Sequence, residues 1–129
     1  MKILDTDILI SILRGKKDAE DVLDYLSGED IAISSITSFE LYYGAFKSER
    51  TSENIKEVDS LLSSYQVINF DKNASKEAGK IHSKLEKSGK GIGIRDVMIG
   101  AICLLNDAGL ITRNVKHYSR IGGLRIEKW

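Results

Sequence analysis

Three acidic residues and one amide are candidates for metal-dependent chemistry. The segment ILDTDIL places Asp5 directly after apolar residues that are typical of a buried strand. Glu40 lies in SSITSFELYYGA, Asp96 follows the glycine-rich GKGIG, and Asn114 closes the tripeptide TRN. An ionised carboxylate beside a hydrophobic core costs free energy unless a cation or hydrogen-bond donors compensate it. The sequence therefore raises the question of which groups the fold brings to Asp5.

The bulk composition narrows the class of protein. The 129 residues are 42% hydrophobic and 29% charged, and 19 basic residues balance 19 acidic ones. This balance excludes a protein that coats nucleic acid through a strongly basic surface. The only cysteine, Cys103, lies in an apolar run, so we predict a buried thiol and no disulfide or cysteine-rich zinc site. No apolar run could span a membrane and no signal peptide is visible, so we expect a cytoplasmic protein without a membrane partner.

Short apolar strands alternate with helical segments along the chain. The predicted strands cover residues 2–5, 31–34 and 66–70, GLITRN, and LRIE at the edge. The predicted helices are one capped by Thr6 and ended by Gly15, one over 18–26, one from about residue 35, and others over 52–64, 72–87 and 96–107. This order is typical of an α/β protein, and it predicts a three-layer α/β/α sandwich around a short, mostly parallel sheet, with residues 1–129 forming one domain.

The predicted strand ends place the acidic residues near one another. In an open parallel sheet, ligands bind beyond the carboxyl ends of the strands. Asp5 and Thr112 end two strands, and Glu40 and Asp96 lie in the first turns of helices near the same edge. Three carboxylates in one pocket repel each other unless a cation binds, and an all-oxygen site favours Mg²⁺ or Mn²⁺ over zinc. Such an ion activates water and stabilises charge on a phosphate, which is the chemistry of phosphodiester hydrolysis.

Each acidic residue also has a purely structural interpretation. Glu40 lies beside a stripe that we predict to face the core, or it is an edge residue that reaches water. The members of the stripe are Ile36, Phe39, Tyr43 and Phe46. Asp96 could cap its helix, and Asp7 could simply favour the positive end of the first helix. Gly100, one turn after Asp96, leaves room for another element to approach.

Four segments in order resemble the motifs of PIN domains, and more narrowly those of the VapC toxins of toxin–antitoxin pairs. They are LDTDILI, SSITSFELYYGA, IRDVMIGA and LITRNVKHYSRIGGLRIEKW. The resemblance covers almost the whole chain. It implies an Mg²⁺- or Mn²⁺-dependent ribonuclease, a homodimer, and inhibition by a VapB-type antitoxin. It also implies that Asp5 and Asp96 hold the metal, that Glu40 ligates it through water or orients the attacking water, and that Thr112 supports the cluster.

Position 114 departs from the pattern of the family. Many PIN domains carry an acid two residues after the Ser or Thr that ends this strand, whereas this chain has Asn114. An asparagine oxygen can ligate a metal or hold a metal-bound water, but it brings no charge. We therefore expect one well-occupied ion in the absence of RNA. Two other functions stay open. One is a PIN-like module that only binds RNA or antitoxin, which Asn114 supports. The other is a phospho-receiver-like domain, but the strands IAIS and QVIN lack the aspartate that such a domain requires.

Basic residues that follow the predicted strands are candidates for contacting RNA phosphates. They are Arg14, Lys116 and Arg120. We rank them above a stripe of lysines on the helix at 72–87, which is expected to be a solvated outer face. His82 and His117 lack the spacing of a metal site, so we expect surface or packing roles for both.

Overall fold

The computed structural model describes residues 1–129 and contains a five-stranded sheet. Its strands are β1 (Lys2–Leu4), β2 (Ile31–Ser34), β3 (Gln66–Ile68), β4 (Gly109–Thr112) and β5 (Ile126–Lys128). They lie in the order β3-β2-β1-β4-β5, and every neighbouring pair is parallel. The predicted α/β fold class is confirmed, and the sheet is parallel throughout.

Seven helices cover the two faces of the sheet. They are α1 (Thr6–Leu13), α2 (Lys17–Tyr25), α3 (Ser35–Lys47), α4 (Thr51–Ser63), α5 (Lys72–Lys87), α6 (Ile94–Leu105) and α7 (Val115–Tyr118). Neighbouring residues of β1 belong to different cores: Ile3 packs with α5, α6 and α7, whereas Leu4 packs with α1 to α4. This alternation along a strand produces the predicted three layers. None of the helices has both the length and the apolar character that a membrane span requires.

The order of the strands defines where a ligand would bind. The chain runs outward from β1 to β2 and β3, and then returns to form β4 on the other side of β1. Leu4 of β1 pairs with Ile111 of β4, so Asp5 and Thr112 follow this pair at the same edge. This edge, at the point where the strand order reverses, is the usual place for a ligand in an open α/β sheet.

The starts of two helices differ from the prediction. β1 ends at Leu4, and Asp5 is the residue that caps α1, with its Oδ1 accepting a hydrogen bond of 2.8 Å from the Thr6 amide. Asp5 is therefore not a strand residue, and Thr6 is the first residue of the helix rather than its cap. Helix α6 begins at Ile94, so Asp96 lies in its first turn and does not cap it. Helix α7 was not predicted, because four residues are too few for a periodic pattern to register.

The exposed side of α3 is also different from the prediction. Ile36 packs against a core as expected. The aromatic members of the predicted stripe are exposed, Phe39 by 60%, Tyr43 by 54% and Phe46 by 67%. The prediction that these rings face the core is therefore wrong.

The buried side of α3 consists of smaller residues. They are Thr37, Leu41 and Ala45, which recur at the same helical spacing as the aromatic residues. Two faces of α3 have helical spacing, and the prediction chose the more hydrophobic one as the buried face. That choice was wrong, because the more hydrophobic face is exposed. Glu40 lies beside the buried side and is half-buried.

Gly100 marks a close approach between α6 and the loop that follows α7. A Cβ atom at this position would lie 2.5 Å from Cδ1 of Ile121, a residue that is only 3% exposed. Because that contact is shorter than van der Waals packing allows, the side chain of Ile121 would have to move. The expectation that Gly100 admits another element is confirmed.

We predict that alanine substitution distinguishes two helical glycines. Gly79→Ala on α5 meets no neighbouring atom and should increase the free energy of unfolding by up to about 1 kcal/mol, because alanine favours helix. Gly100→Ala should be less stable than Gly79→Ala by at least about 1 kcal/mol, because Ile121 must be displaced. Urea denaturation of both variants measures this difference. Equal gains in stability at the two positions would contradict the close approach.

Candidate active site

Asp5 is buried at the centre of the site and contacts only neutral donors. It is 6% exposed. Its Oδ2 accepts a hydrogen bond of 2.6 Å from the hydroxyl of Thr112, at the end of the neighbouring strand. Thr112 in turn accepts a hydrogen bond of 2.9 Å from the amide of Asn114. The link from β1 to β4 therefore passes through two side chains, and no basic group compensates the charge of Asp5.

Tyr118 lies between Asp5 and Asp96. Its hydroxyl is 3.3 Å from Oδ1 of Asp5 and 3.1 Å from Oδ1 of Asp96, so one hydroxyl group bridges two carboxylates. The residue is fully buried, at the end of α7. The sequence does not single out Tyr118, because a lone tyrosine in a segment without a predicted element carries no periodic signal.

Asp96 also contacts the segment after β4. Nδ2 of Asn114 is 3.3 Å from Oδ2 of Asp96, and Nδ1 of His117 is 3.4 Å from the same oxygen. Asn114 and His117 contact each other at 2.8 Å. The amide of Asn114 therefore faces Asp96 as a donor, and the ring of His117, which lacks metal-site spacing in the sequence, also lies beside Asp96.

Glu40 joins this site through a hydroxyl rather than directly. Its Oε1 accepts a hydrogen bond of 3.0 Å from Thr6, which is the residue after Asp5. Its Oε2 forms an ion pair of 3.0 Å with Arg95, whose side chain is 57% exposed. Thr6 also contacts the hydroxyl of Thr37 at 3.0 Å, so a buried pair of threonine hydroxyls links α1 to α3.

The environment of Asp5 disfavours its charge. Burial raises the pKa of Asp5 above its ordinary value of 3.8, and hydrogen bonds from Thr112 and the Thr6 amide oppose this shift. The negative charges of Asp96 and Asp7 raise the pKa further. An ionised Asp5 is therefore tolerated in the folded protein at a cost in free energy.

The environment of Tyr118 keeps its hydroxyl protonated. Burial raises the pKa of Tyr118 far above its ordinary value of 10.0, and the charges of Asp5 and Asp96 raise it further. The phenol is therefore a neutral donor at physiological pH, and it cannot cancel the negative charge of the two carboxylates.

The residues around Asp5 fit a divalent cation. Asp5 and Asp96 offer oxygen ligands, which suit Mg²⁺ or Mn²⁺, and the buried charge of Asp5 has no cationic partner in the chain. No three histidine, cysteine, aspartate or glutamate side chains are already assembled as a metal site. The participation of Glu40 in metal binding therefore stays a prediction.

The three predicted RNA-contacting residues differ in exposure and in their contacts. Arg14 is exposed and lines a groove between α1, α3 and α4 that reaches Glu40. Lys116 is exposed on α7. Arg120 is half-buried, and its Nη1 donates a hydrogen bond of 3.1 Å to the carbonyl of Gly91 in the loop before Asp96. Their contact with RNA stays a prediction.

Known proteins share this fold. A PIN domain profile matches residues 2–124. The tRNA(fMet)-specific endonuclease VapC of Shigella flexneri is 32% identical over 98% of this chain and 96% of its own length. Ribonuclease VapC2 of Rickettsia felis is 34% identical with the same shares covered. The crystal structure of VapBC2 from Rickettsia felis bound to a promoter DNA fragment has a TM-score of 0.90 at 32% identity, over 99% of this chain and 98% of that one.

These matches define the class of protein, together with a parallel sheet that has carboxylates at the point where its strand order reverses. The chain belongs to the PIN-domain family. Within that family its relatives are VapC proteins, so the resemblance found in the sequence is confirmed.

We predict that Asp5→Asn stabilises the metal-free protein at neutral pH. Because the folded state raises the pKa of Asp5, the free energy of unfolding falls as the pH rises from the unfolded pKa through the folded pKa, and this cost is fully present above the folded pKa. Asparagine removes this cost and still caps α1. Thermal unfolding in EDTA at pH 7 should show a melting temperature a few degrees higher, and the gain should shrink as the pH falls towards 4.

The matched control is Asp7→Asn, two residues later. Asp7 is exposed in the first turn of α1, where a negative charge favours the helix dipole. This substitution should lower the free energy of unfolding slightly, by about 0.3–1 kcal/mol. A loss of stability in Asp5→Asn like that in Asp7→Asn would contradict the proposed cost of the buried charge.

Proposed function

We propose that the protein is an Mg²⁺-dependent endoribonuclease and the toxin of a type II toxin–antitoxin pair. The observation that carries the proposal is the buried charge of Asp5, which lacks a cationic partner and faces Asp96 across one hydroxyl at the reversal point of the sheet. An RNA substrate is supported by the relatives named endonuclease VapC and ribonuclease VapC.

Asp5 and Asp96 would hold the metal, for which Mn²⁺ can substitute. When bound, the ion would lower the pKa of a coordinated water and neutralise charge that develops on the scissile phosphate. Thr112 fixes one oxygen of Asp5 through its 2.6 Å hydrogen bond, and Asn114 donates to Asp96. These two contacts fix the orientation of the carboxylates, which is the usual contribution of residues behind metal ligands.

Glu40 would position the attacking water. One of its oxygens is held by Thr6 and the other by Arg95, so the carboxylate is oriented without being fully enclosed. Because the Arg95 side chain is 57% exposed, an RNA phosphate could compete for it and free one oxygen of Glu40 to accept a proton. Asn114 adds no charge, which favours a single ion in the absence of RNA.

The proposed macromolecular partners are RNA and a VapB-type antitoxin. Solved relatives are VapBC complexes, including the Rickettsia felis complex and one from Salmonella typhimurium with a TM-score of 0.89 at 30% identity. We propose Arg14, Lys116 and Arg120 as contacts for RNA phosphates, because Arg14 lines the groove that reaches Glu40, Lys116 is exposed on α7, and Arg120 contacts the loop before Asp96.

We also propose that a second copy of the chain covers the exposed face of α3. Phe39, Tyr43 and Phe46 share this face, and the rings of Phe39 and Tyr43 stack with their centres 6.2 Å apart. Ile94, at the start of α6, extends the patch and is 55% exposed. A contiguous aromatic surface of this kind marks an interface, and a two-fold contact would bury the same rings from both copies.

We predict that purified protein cleaves RNA in Mg²⁺ or Mn²⁺ and not in EDTA. Asp96→Asn should reduce the rate at least about 100-fold, because it removes one charged ligand while keeping the size of the side chain. A mixed-sequence RNA and a tRNA pool are the substrates, with initiator tRNA as the first defined one because a relative carries that name. Gel analysis of the products measures the cleavage.

The matched control is Asp107→Asn, an exposed acid just after the same helix. It should cleave at the rate of the unsubstituted protein. Cleavage that survives both EDTA and Asp96→Asn would overturn the proposal. If neither protein cuts, growth after expression decides: arrest that Asp96→Asn abolishes indicates a narrow substrate, and growth without arrest favours a module that only binds.

We predict that the protein has twice its chain mass of 14.4 kDa in solution. Phe46→Glu should weaken self-association at least about tenfold, because it would place a charge in an apolar contact. Sedimentation equilibrium measures the mass and the dissociation constant. Tyr25→Glu is the control, because Tyr25 is 77% exposed on α2, away from this face. A monomer in the unsubstituted protein would refute the proposed dimer.

A further inference from the structure

The hydroxyl of Tyr118 lies where the two central carboxylates come together. It is 3.3 Å from Oδ1 of Asp5 and 3.1 Å from Oδ1 of Asp96. Both distances are longer than the 2.7–2.8 Å that is typical of a hydroxyl hydrogen bond. The Tyr118 hydroxyl has a single proton for two acceptor oxygens, so it forms a weak hydrogen bond that the two carboxylates share.

The other contacts of these carboxylates are separate for each residue. Asp5 also accepts from the Thr6 amide at 2.8 Å and from Thr112 at 2.6 Å. Asp96 has Asn114 and His117 near its Oδ2, while its Oδ1 contacts Tyr118 alone. Tyr118 is therefore the one group that joins the two acids, and its contacts are longer than those that fix Asp5.

The ring of Tyr118 does not need the hydroxyl for its packing. The residue is fully buried in the core formed with α5 and α6, together with Ile121 and Val97. A phenylalanine would keep these apolar contacts and remove only the bridge. The hydroxyl therefore has a role that can be separated from the fold.

We propose that Tyr118 is a positioning residue that bridges the two proposed metal ligands in the metal-free protein. Its neutral hydroxyl holds Asp5 and Asp96 together, and a cation would compete with it for at least one of these carboxylates. This inference rests on the proposed function, because it assumes that these two carboxylates bind the metal. Tyr118 then stabilises the metal-free protein and lowers the affinity for the metal.

The test compares Tyr118→Phe with the unsubstituted protein in two measurements. Thermal unfolding in EDTA should show a lower melting temperature for Tyr118→Phe, because two close carboxylates lose their shared donor. Titration with Mn²⁺ by calorimetry should show a dissociation constant about 5- to 10-fold lower, because the metal no longer competes with a hydrogen bond. Tyr65→Phe, at a half-buried tyrosine away from the site, controls for the loss of a hydroxyl.

The Mn²⁺ titration distinguishes a failure of the inference on Tyr118 from a failure of the proposed metal site. A purely structural role would lower the melting temperature and leave the Mn²⁺ affinity unchanged or weaker, and that result would overturn the inference while the nuclease proposal stands. No Mn²⁺ binding by the unsubstituted protein would overturn both the proposed metal site and this inference. A tighter Mn²⁺ site in Tyr118→Phe alone, and not in Tyr65→Phe, is the expected result.

Discussion

The arrangement of the candidate site depends on one buried carboxylate just beyond the carboxyl end of the central strand. Asp5 caps α1, accepts from Thr112 on the neighbouring strand, and meets Tyr118 from α7. These hydrogen bonds join the start of the chain to a segment more than 100 residues later, which contains both Thr112 and Tyr118. None of the donors is charged, so they lower the cost of burying the carboxylate without neutralising it. A site built in this way has a strong electrostatic reason to bind a cation.

Asp96 and Glu40 are each connected to the region of Asp5 through a hydroxyl group. Asp96 is one hydroxyl away, through Tyr118, and Glu40 is reached through Thr6. Glu40 also has Arg95 as a partner, so its charge is compensated within the chain, whereas that of Asp5 is not. This difference supports the proposal that Asp5 and Asp96 bind the metal and that Glu40 positions the water. The negative charge is thereby spread over the site instead of concentrated at one point.

The two sides of α3 serve different purposes. Its small buried residues allow it to pack close to the sheet and bring Glu40 to Thr6, while its aromatic residues remain outside. A large ring on the inner side would move the helix away and lengthen this contact. The exposed rings are thus a consequence of where Glu40 must lie, and they provide a surface that a second copy can cover.

The sequence by itself determined the fold class, the order of the elements other than α7, the bounds of α5, and the edge of the sheet at which Asp5 and Thr112 meet. These follow from local periodicity and from the rule that parallel strands share one carboxyl edge. Only the tertiary structure decided which face of α3 is buried, and that Tyr118 and His117 reach Asp96. Such contacts depend on packing distances between elements remote in sequence, which no local pattern encodes.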